Sequence, residues 1–144
     1  MAAEETDAYL VRLFRQMETA FPDALVTDWE SLLDAVQLPD PGDRHVVAAA
    51  RAGRADVIVT DNVADFPPGG LPTPLIRQSL DEFLLDSLGL YPSQVISAVH
   101  AVARRTGRSG PAMTARDIAA YLQARGMPAF GERLLANLDQ PGRA

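Results

Sequence analysis

Residues 43–62 decide the fold, and they read DRHVVAAARAGRADVIVTDN. The first part, from Asp43 to about Ala52, carries a face of small apolar residues that predicts a helix, and Gly53 is placed to cap its C-terminus. The second part, residues 55–60, has the β-branched run Val-Ile-Val at its centre. Such an unbroken run predicts a strand covered on both faces, as in a parallel sheet. The stretch therefore predicts a helix that leads into a parallel strand, which is the repeating unit of an α/β fold.

Outward from this stretch, apolar residues at three- and four-residue spacing predict an amphipathic helix over residues 3–21. On the C-terminal side, Ser79 and Glu82 form a capping-box pattern, and Thr114 is placed to cap a later helix. The remaining predicted elements are short strands at 24–26 and 75–77 and helices at 29–36, 79–88, 92–105, 114–125 and 128–138.

The Pro- and Gly-containing stretch at 108–111 predicts a linker between two parts of the chain. We therefore expect an α/β domain over residues 1–106, with a parallel sheet flanked by helices. A C-terminal helical extension is expected over residues 107–144.

The composition limits the classes of protein to which the chain can belong. Its 144 residues, 47% of them hydrophobic and 22% charged, are typical of a globular protein. Cysteine is absent, which excludes disulfides, thiolate metal sites and a cysteine nucleophile. No apolar run is long enough to cross a bilayer, and the acidic N-terminus is unlike a secretory signal, so no membrane association and a cytoplasmic location are expected.

The formal net charge is −6, so general electrostatic capture of nucleic acid is not expected. One basic cluster stands out at the end of a predicted helix, formed by Arg104, Arg105 and Arg108. Two interpretations stay open for it: solvated cations favoured by the helix dipole, or contacts to RNA phosphates.

Two aspartates are placed where an α/β fold assembles ligand sites. Asp43 lies in the first turn of the predicted helix, and Asp61 follows the predicted strand. Because the helix runs away from one edge of the sheet and the strand returns to it, both carboxylates are expected at the carboxyl edge of the parallel strands. Hard oxygen donors suit Mg²⁺ or Mn²⁺, which can activate a water for phosphodiester cleavage. The alternative is structural, since Asp is favoured both at helix N-termini and in turns after strands.

The segments LPDPGDRHVVAAA, residues 38–50, and ADVIVTDNVADFP, residues 55–67, resemble the C-terminal half of PIN-domain nucleases, closest to the branch of VapC-type toxins. The resemblance covers roughly residues 3–90, and the helical tail also looks like that of the branch. It implies a PIN-like parallel sheet and a Mg²⁺- or Mn²⁺-dependent endoribonuclease of a toxin–antitoxin system.

The resemblance also implies roles for individual residues. Asp43 matches the family's third acidic metal ligand and Asp61 the fourth, which makes both of them candidate catalytic and metal-binding residues. Thr60 and Asn62 match polar residues that flank the site. Arg44, next to Asp43, is a candidate contact to substrate phosphate.

The chain departs from the family pattern at its start. PIN domains begin with a buried strand that ends in an Asp, and a later helix supplies a Glu; nothing before Asp43 matches either ligand. We therefore expect an incomplete sheet without its N-terminal strand, and weak or absent metal binding by this chain alone, because hydrated Mg²⁺ gives up its waters reluctantly. An unpaired apolar strand edge favours pairing with another chain, so a homo-oligomer or a complementing PIN segment is expected.

Two functions are compatible with this pattern. The first is a VapC-type ribonuclease component that acts on RNA, is controlled by a cognate antitoxin and is inactive without the missing segment. The alternative is a catalytically dead PIN remnant that serves as a protein-binding or oligomerisation module. Whether the chain is an enzyme is thus left open by the sequence.

Overall fold

A computed structural model describes residues 2–108 and 110–139, with side chains from residue 7 onward. Ser109 of the predicted linker and residues 140–144 of the predicted extension lie outside the described residues. The described part is α/β. Its helices and strands are α1 (Ala2–Ala20), α2 (Arg44–Ala52), β1 (Val57–Val59), β2 (Ile76–Gln78), α3 (Leu80–Leu90), α4 (Pro92–Arg105), α5 (Ala115–Ala124) and α6 (Pro128–Leu138).

The two strands form a small parallel sheet. The Ile76 amide donates to the Asp56 carbonyl at 3.0 Å, and the Thr60 amide donates to the Gln78 carbonyl at 2.9 Å. From the first of these hydrogen bonds to the second, the residue number rises in both strands, which is the pattern of a parallel pair. Since the sheet in the described residues contains only these two strands, each strand keeps one edge without a partner there.

The chain divides into two compact units. The first comprises residues 1–58 and 62–77, and the second comprises residues 59–61 and 78–144. The boundary predicted between residues 106 and 107 falls within the second unit, and as a domain boundary it stays a prediction.

The first unit has its own hydrophobic cluster, to which α2 contributes Val47 and Ala48, both fully buried. Ile58 of β1 and Phe66 of the following loop belong to the same cluster. Gly53 lets the extended segment after residue 24 approach the end of α2, because a Cβ at this position would lie only 2.8 Å from Val26 Cγ2. The cluster thus holds α2 and β1 in place. The candidate site residues Asp43 and Asp61 lie before α2 and after β1, respectively.

The second unit is a helical bundle of α3 to α6. Leu88 and Leu134 are almost completely buried in its cluster, together with Phe130. The predicted capping box of Ser79 with Glu82 is present at α3. Thr114, which was predicted as a helix cap, forms a second capping box with Asp117 at α5. These reciprocal bonds satisfy amides that each helix would otherwise leave open.

Several element predictions are wrong, for identifiable reasons. The strand predicted at 24–26 is absent, because Pro22–Ala24 form a 3₁₀ turn and residues 25–27 belong to no strand. The helix predicted at 29–36 is a 3₁₀ helix, Glu30–Ala35. Strand β1 is not covered on both faces, since Val59 is 39% exposed.

No helix among the described residues is both long enough and apolar enough to cross a membrane.

Candidate functional site

Asp43 lies at the N-terminus of α2, where the chain leaves a short 3₁₀ turn, Pro41–Asp43. That turn is held by Asp40, whose Oδ1 accepts the Gly42 amide at 2.7 Å. Asp43 is the N-cap residue of α2, yet its side chain makes no capping hydrogen bond. The half-buried Asp43 carboxylate is therefore not committed to closing the helix end.

Arg44 and His45 follow Asp43 in the first turn of α2. Arg44 is half-buried, and its Nε has no hydrogen-bond partner among the described residues. The His45 ring donates from Nδ1 to the Gly42 carbonyl at 2.7 Å and lies near Trp29, with ring centroids 6.2 Å apart. His45 is thus engaged locally, whereas Arg44 Nε is buried and has no partner among the described residues.

Asp61 follows Thr60, the first residue after β1, and is exposed. Its Oδ1 accepts the amide of Leu80, the first residue of α3, at 3.3 Å. This long bond places one carboxylate oxygen at a helix N-terminus, where negative charge is favoured. The structural role that the sequence left open for Asp61 therefore has a concrete form.

Asn62 belongs to a local turn. Its Nδ2 donates to Asp65 Oδ2 at 2.6 Å, and the Asp65 amide donates to Asn62 Oδ1 at 3.3 Å. These two bonds hold the start of the loop after β1. Thr60 takes part in the sheet through its amide, so both polar residues predicted to flank the site have roles in shaping it.

Asp43 was expected in the first turn of α2 and instead ends the 3₁₀ turn before it, as the N-cap residue of the helix. Asp43 and Arg44 belong to the first unit and Asp61 to the second, so the convergence of the two carboxylates stays a prediction. Within the described residues, no group of three or more His, Asp or Glu side chains is arranged to hold a metal ion. The donor chemistry suits Mg²⁺ or Mn²⁺, but these residues do not compose a ligand set of their own.

Asp81 is a structurally important acidic residue that the sequence reasoning missed. Its two carboxylate oxygens accept the Ala129 and Phe130 amides at 3.1 and 2.8 Å, which caps α6 from α3. The contact joins residues 48 and 49 positions apart. A local sequence pattern carries no signal for such a cap.

Comparison with known proteins locates the clearest similarity in the helical unit. Residues 80–136 match the model of the VapC50 C-terminal domain. A curated protein of Mycobacterium tuberculosis (strain ATCC 25618 / H37Rv), named "Putative ribonuclease VapC50", is 52% identical to this chain over 50 residues.

That alignment covers 34% of this chain and 30% of the relative, so it spans less than a third of the relative's length. No solved structure matches the chain. The similarity of this chain to VapC50 therefore concerns its C-terminal region, residues 80–136.

Proposed function

We propose that this chain is a component of a VapC-type ribonuclease of a toxin–antitoxin system, with RNA as its substrate and Mg²⁺ or Mn²⁺ as its cofactor. The observation that carries the proposal is the 52% identity over 50 residues to a protein named as a ribonuclease of this type. The placement of Asp43 at the start of α2 and of Asp61 after β1 supports the same function.

Each site residue has a role in this proposal that its surroundings support. Asp43 and Asp61 supply carboxylate oxygens to the metal, which would supply the Lewis acidity for phosphodiester hydrolysis. The guanidinium of Arg44, the residue that follows Asp43, contacts a substrate phosphate. The bonds between Asn62 and Asp65 hold the loop that follows Asp61.

The proposal includes a further segment, encoded by the same gene or by another. Two carboxylates hold a hydrated Mg²⁺ weakly, so further acidic ligands come from a complementing PIN segment. A cognate antitoxin is the partner that controls the assembled enzyme. The chain alone is then inactive, and activity appears only when the ligand set is completed.

An RNA-cleavage assay with Mn²⁺ tests the proposal on three variants. Asp43→Asn and Asp61→Asn each remove one charge from the proposed site, and Asp56→Asn is the matched control, since Asp56 is exposed and precedes β1. We expect no Asp43-dependent cleavage by the chain alone. Cleavage by the chain alone that Asp43→Asn abolishes would show that no complementing segment is needed.

The complementing segment is sought by translating the genomic DNA upstream of Met1 in all reading frames, for a strand ending in Asp and a helix carrying Glu. Adding that polypeptide is expected to restore cleavage in the wild type and in Asp56→Asn. The Asp43→Asn and Asp61→Asn variants are expected to stay inactive. Equal restoration in all four proteins would contradict the assignment of the two ligands.

One observation favours the second candidate, a non-catalytic oligomerisation module. Between residues 7 and 20 every side chain of α1 is exposed except the half-buried Leu13. Phe14, Met17 and Phe21 line an apolar depression of about 170 Å³. Large apolar side chains grouped in this way mark interaction surfaces.

In this second candidate the occupant is a further copy of the chain, and its test is the molar mass in solution. Phe14→Glu is compared with Gln16→Glu, which changes the charge equally at another exposed α1 position. Light scattering after size exclusion is expected to show that only Phe14→Glu lowers the mass. A monomeric wild type would eliminate this candidate.

A further inference from the structure

We propose that the C-terminal end of α4 and the turn after it form a docking surface for the phosphate backbone of RNA. Three side chains, Arg104, Arg105 and Arg108, define this surface, called here the basic turn. The inference rests on the proposed ribonuclease function and assigns a task to the region that matches the VapC50 C-terminal domain.

The basic turn lies in a segment with no negative charge. Residues 87–116 contain four of the chain's 13 basic residues and none of its 19 acidic residues. The net charge of −6 therefore conceals a positive segment within an otherwise acidic chain. A local potential of this kind attracts a polyanion even when the whole protein is acidic.

The three guanidinium groups are exposed and available. None of them takes part in an ion pair within the described residues, where Arg116 pairs with Asp139. The nearest acidic residue along the chain on the C-terminal side, Asp117, accepts hydrogen bonds from the amide and hydroxyl of Thr114. Its carboxylate is thus directed to the start of α5.

The backbone that carries these arginines is fixed by hydrogen bonds. Thr106 caps α4, and its Oγ1 donates to the Ala103 carbonyl at 2.6 Å and accepts the Met113 amide at 2.8 Å. Gly107 has a φ of +84°, and a Cβ there would lie 3.2 Å from the Ala112 Cβ. The helix dipole favours arginine in the last turn of α4, but Arg108 lies beyond the helix and is not explained in this way.

The surroundings favour a nucleic-acid backbone over an acidic protein segment. Protein interfaces depend on clusters of large apolar or aromatic anchors. The exposed positions of α4 from residue 97 to the basic turn are Ser97, Ala98, His100 and Val102, of which only Val102 is a large apolar side chain. The exposed Tyr91 precedes α4, about 20 Å away along the helix axis. Arginine forks bind phosphate oxygens in pairs, and this recognition needs no apolar anchor.

The test measures binding of the full-length chain to a fluorescently labelled, unstructured single-stranded RNA, by anisotropy over a series of salt concentrations. EDTA is present throughout, so that no metal-dependent cleavage occurs and the result is independent of Asp43 and Asp61. The test variant is Arg104→Gln/Arg105→Gln/Arg108→Gln. The matched control is Arg15→Gln/Arg51→Gln/Arg133→Gln, which removes the same charge from exposed positions on α1, α2 and α6.

We expect the test variant to bind RNA at least about tenfold more weakly at low salt and to lower the slope of log K against log salt by about 2, since each lost phosphate contact on a single strand contributes about 0.7. The control is expected to keep the wild-type slope. Absence of RNA binding by the wild type, or equal losses in both triple variants, would overturn the proposal. Polyglutamate that binds the basic turn as tightly as RNA would overturn it as well, because it would identify an acidic protein as the partner.

Discussion

Asp81 shows how one side chain connects two helices within the second unit. Its carboxylate accepts the first-turn amides of α6, a helix whose N-cap residue Met127 supplies no side-chain cap. Asp81→Ala leaves both amides without an acceptor and is expected to lower the free energy of unfolding by about 1–2 kcal/mol. Asp81→Asn keeps one acceptor oxygen and should lose less. Urea denaturation measures both changes, and a wild-type midpoint for Asp81→Ala would refute the capping role.

Asp117 makes the stability of the second unit depend on pH. The Thr114 hydroxyl, and then the Thr114 amide, donate hydrogen bonds that lower the Asp117 pKa below the ordinary value of 3.8. Because the folded pKa is the lower one, this stabilisation is present above about pH 3.8 and is lost as the pH falls through the folded pKa. Thr114→Ala is therefore expected to return the Asp117 pKa toward 3.8. Carbon-detected NMR titration measures the Asp117 pKa, and an unchanged pKa would exclude the Thr114 hydroxyl as a cause.

At the scale of elements, the contact of α5 with α6 depends on a glycine. A Cβ at Gly131 would lie 2.9 Å from the Ala119 carbonyl oxygen and 2.6 Å from the Gln123 Cβ. Gly131→Ala is expected to destabilise the bundle by about 1–3 kcal/mol, because the helices have to separate. Gly89→Ala in α3 is the matched control: a Cβ there meets nothing within 4 Å. It should stabilise the helix by about 0.5–1 kcal/mol. Thermal unfolding that shifts both variants in the same direction would contradict this packing.

The elements also show what the sequence predicts and where it stops. Helix α4 was predicted at its observed bounds, and the capping box at Ser79 was confirmed, because proline starts and capping residues act within one helical turn. The strand at 24–26 was predicted wrongly, since a strand needs a partner and local sequence does not reveal one. The position of Asp61 after β1 was predictable from sequence, because it depends on local pattern. Its hydrogen bond to the Leu80 amide was not, because the two residues are distant in the sequence.

At the scale of the whole molecule, burial is distributed unevenly along the chain. One hydrophobic cluster, which includes Val47 and Phe66, lies in the first unit, and another, which includes Leu88 and Leu134, lies in the second. From residue 7 onward, no side chain of α1 belongs to either cluster, and Phe14 and Phe21 are 58% and 64% exposed. Most helical stability in proteins comes from packing of an apolar face, so α1 is stabilised less by tertiary contacts than α5 and α6 are.

Hydrogen exchange followed by mass spectrometry is expected to reveal this difference. Peptides from α1 should exchange within seconds at low protein concentration, and peptides from α5 and α6 far more slowly, because local opening costs least where few apolar contacts are lost. Raising the protein concentration shows whether α1 is an interface. If protection from exchange then increases in α1 alone, a second copy of the chain covers this helix. Phe14→Glu should remove that protection while α6 stays unchanged. If α1 exchanges as slowly as α6 at every concentration, its apolar face is already covered in the monomer.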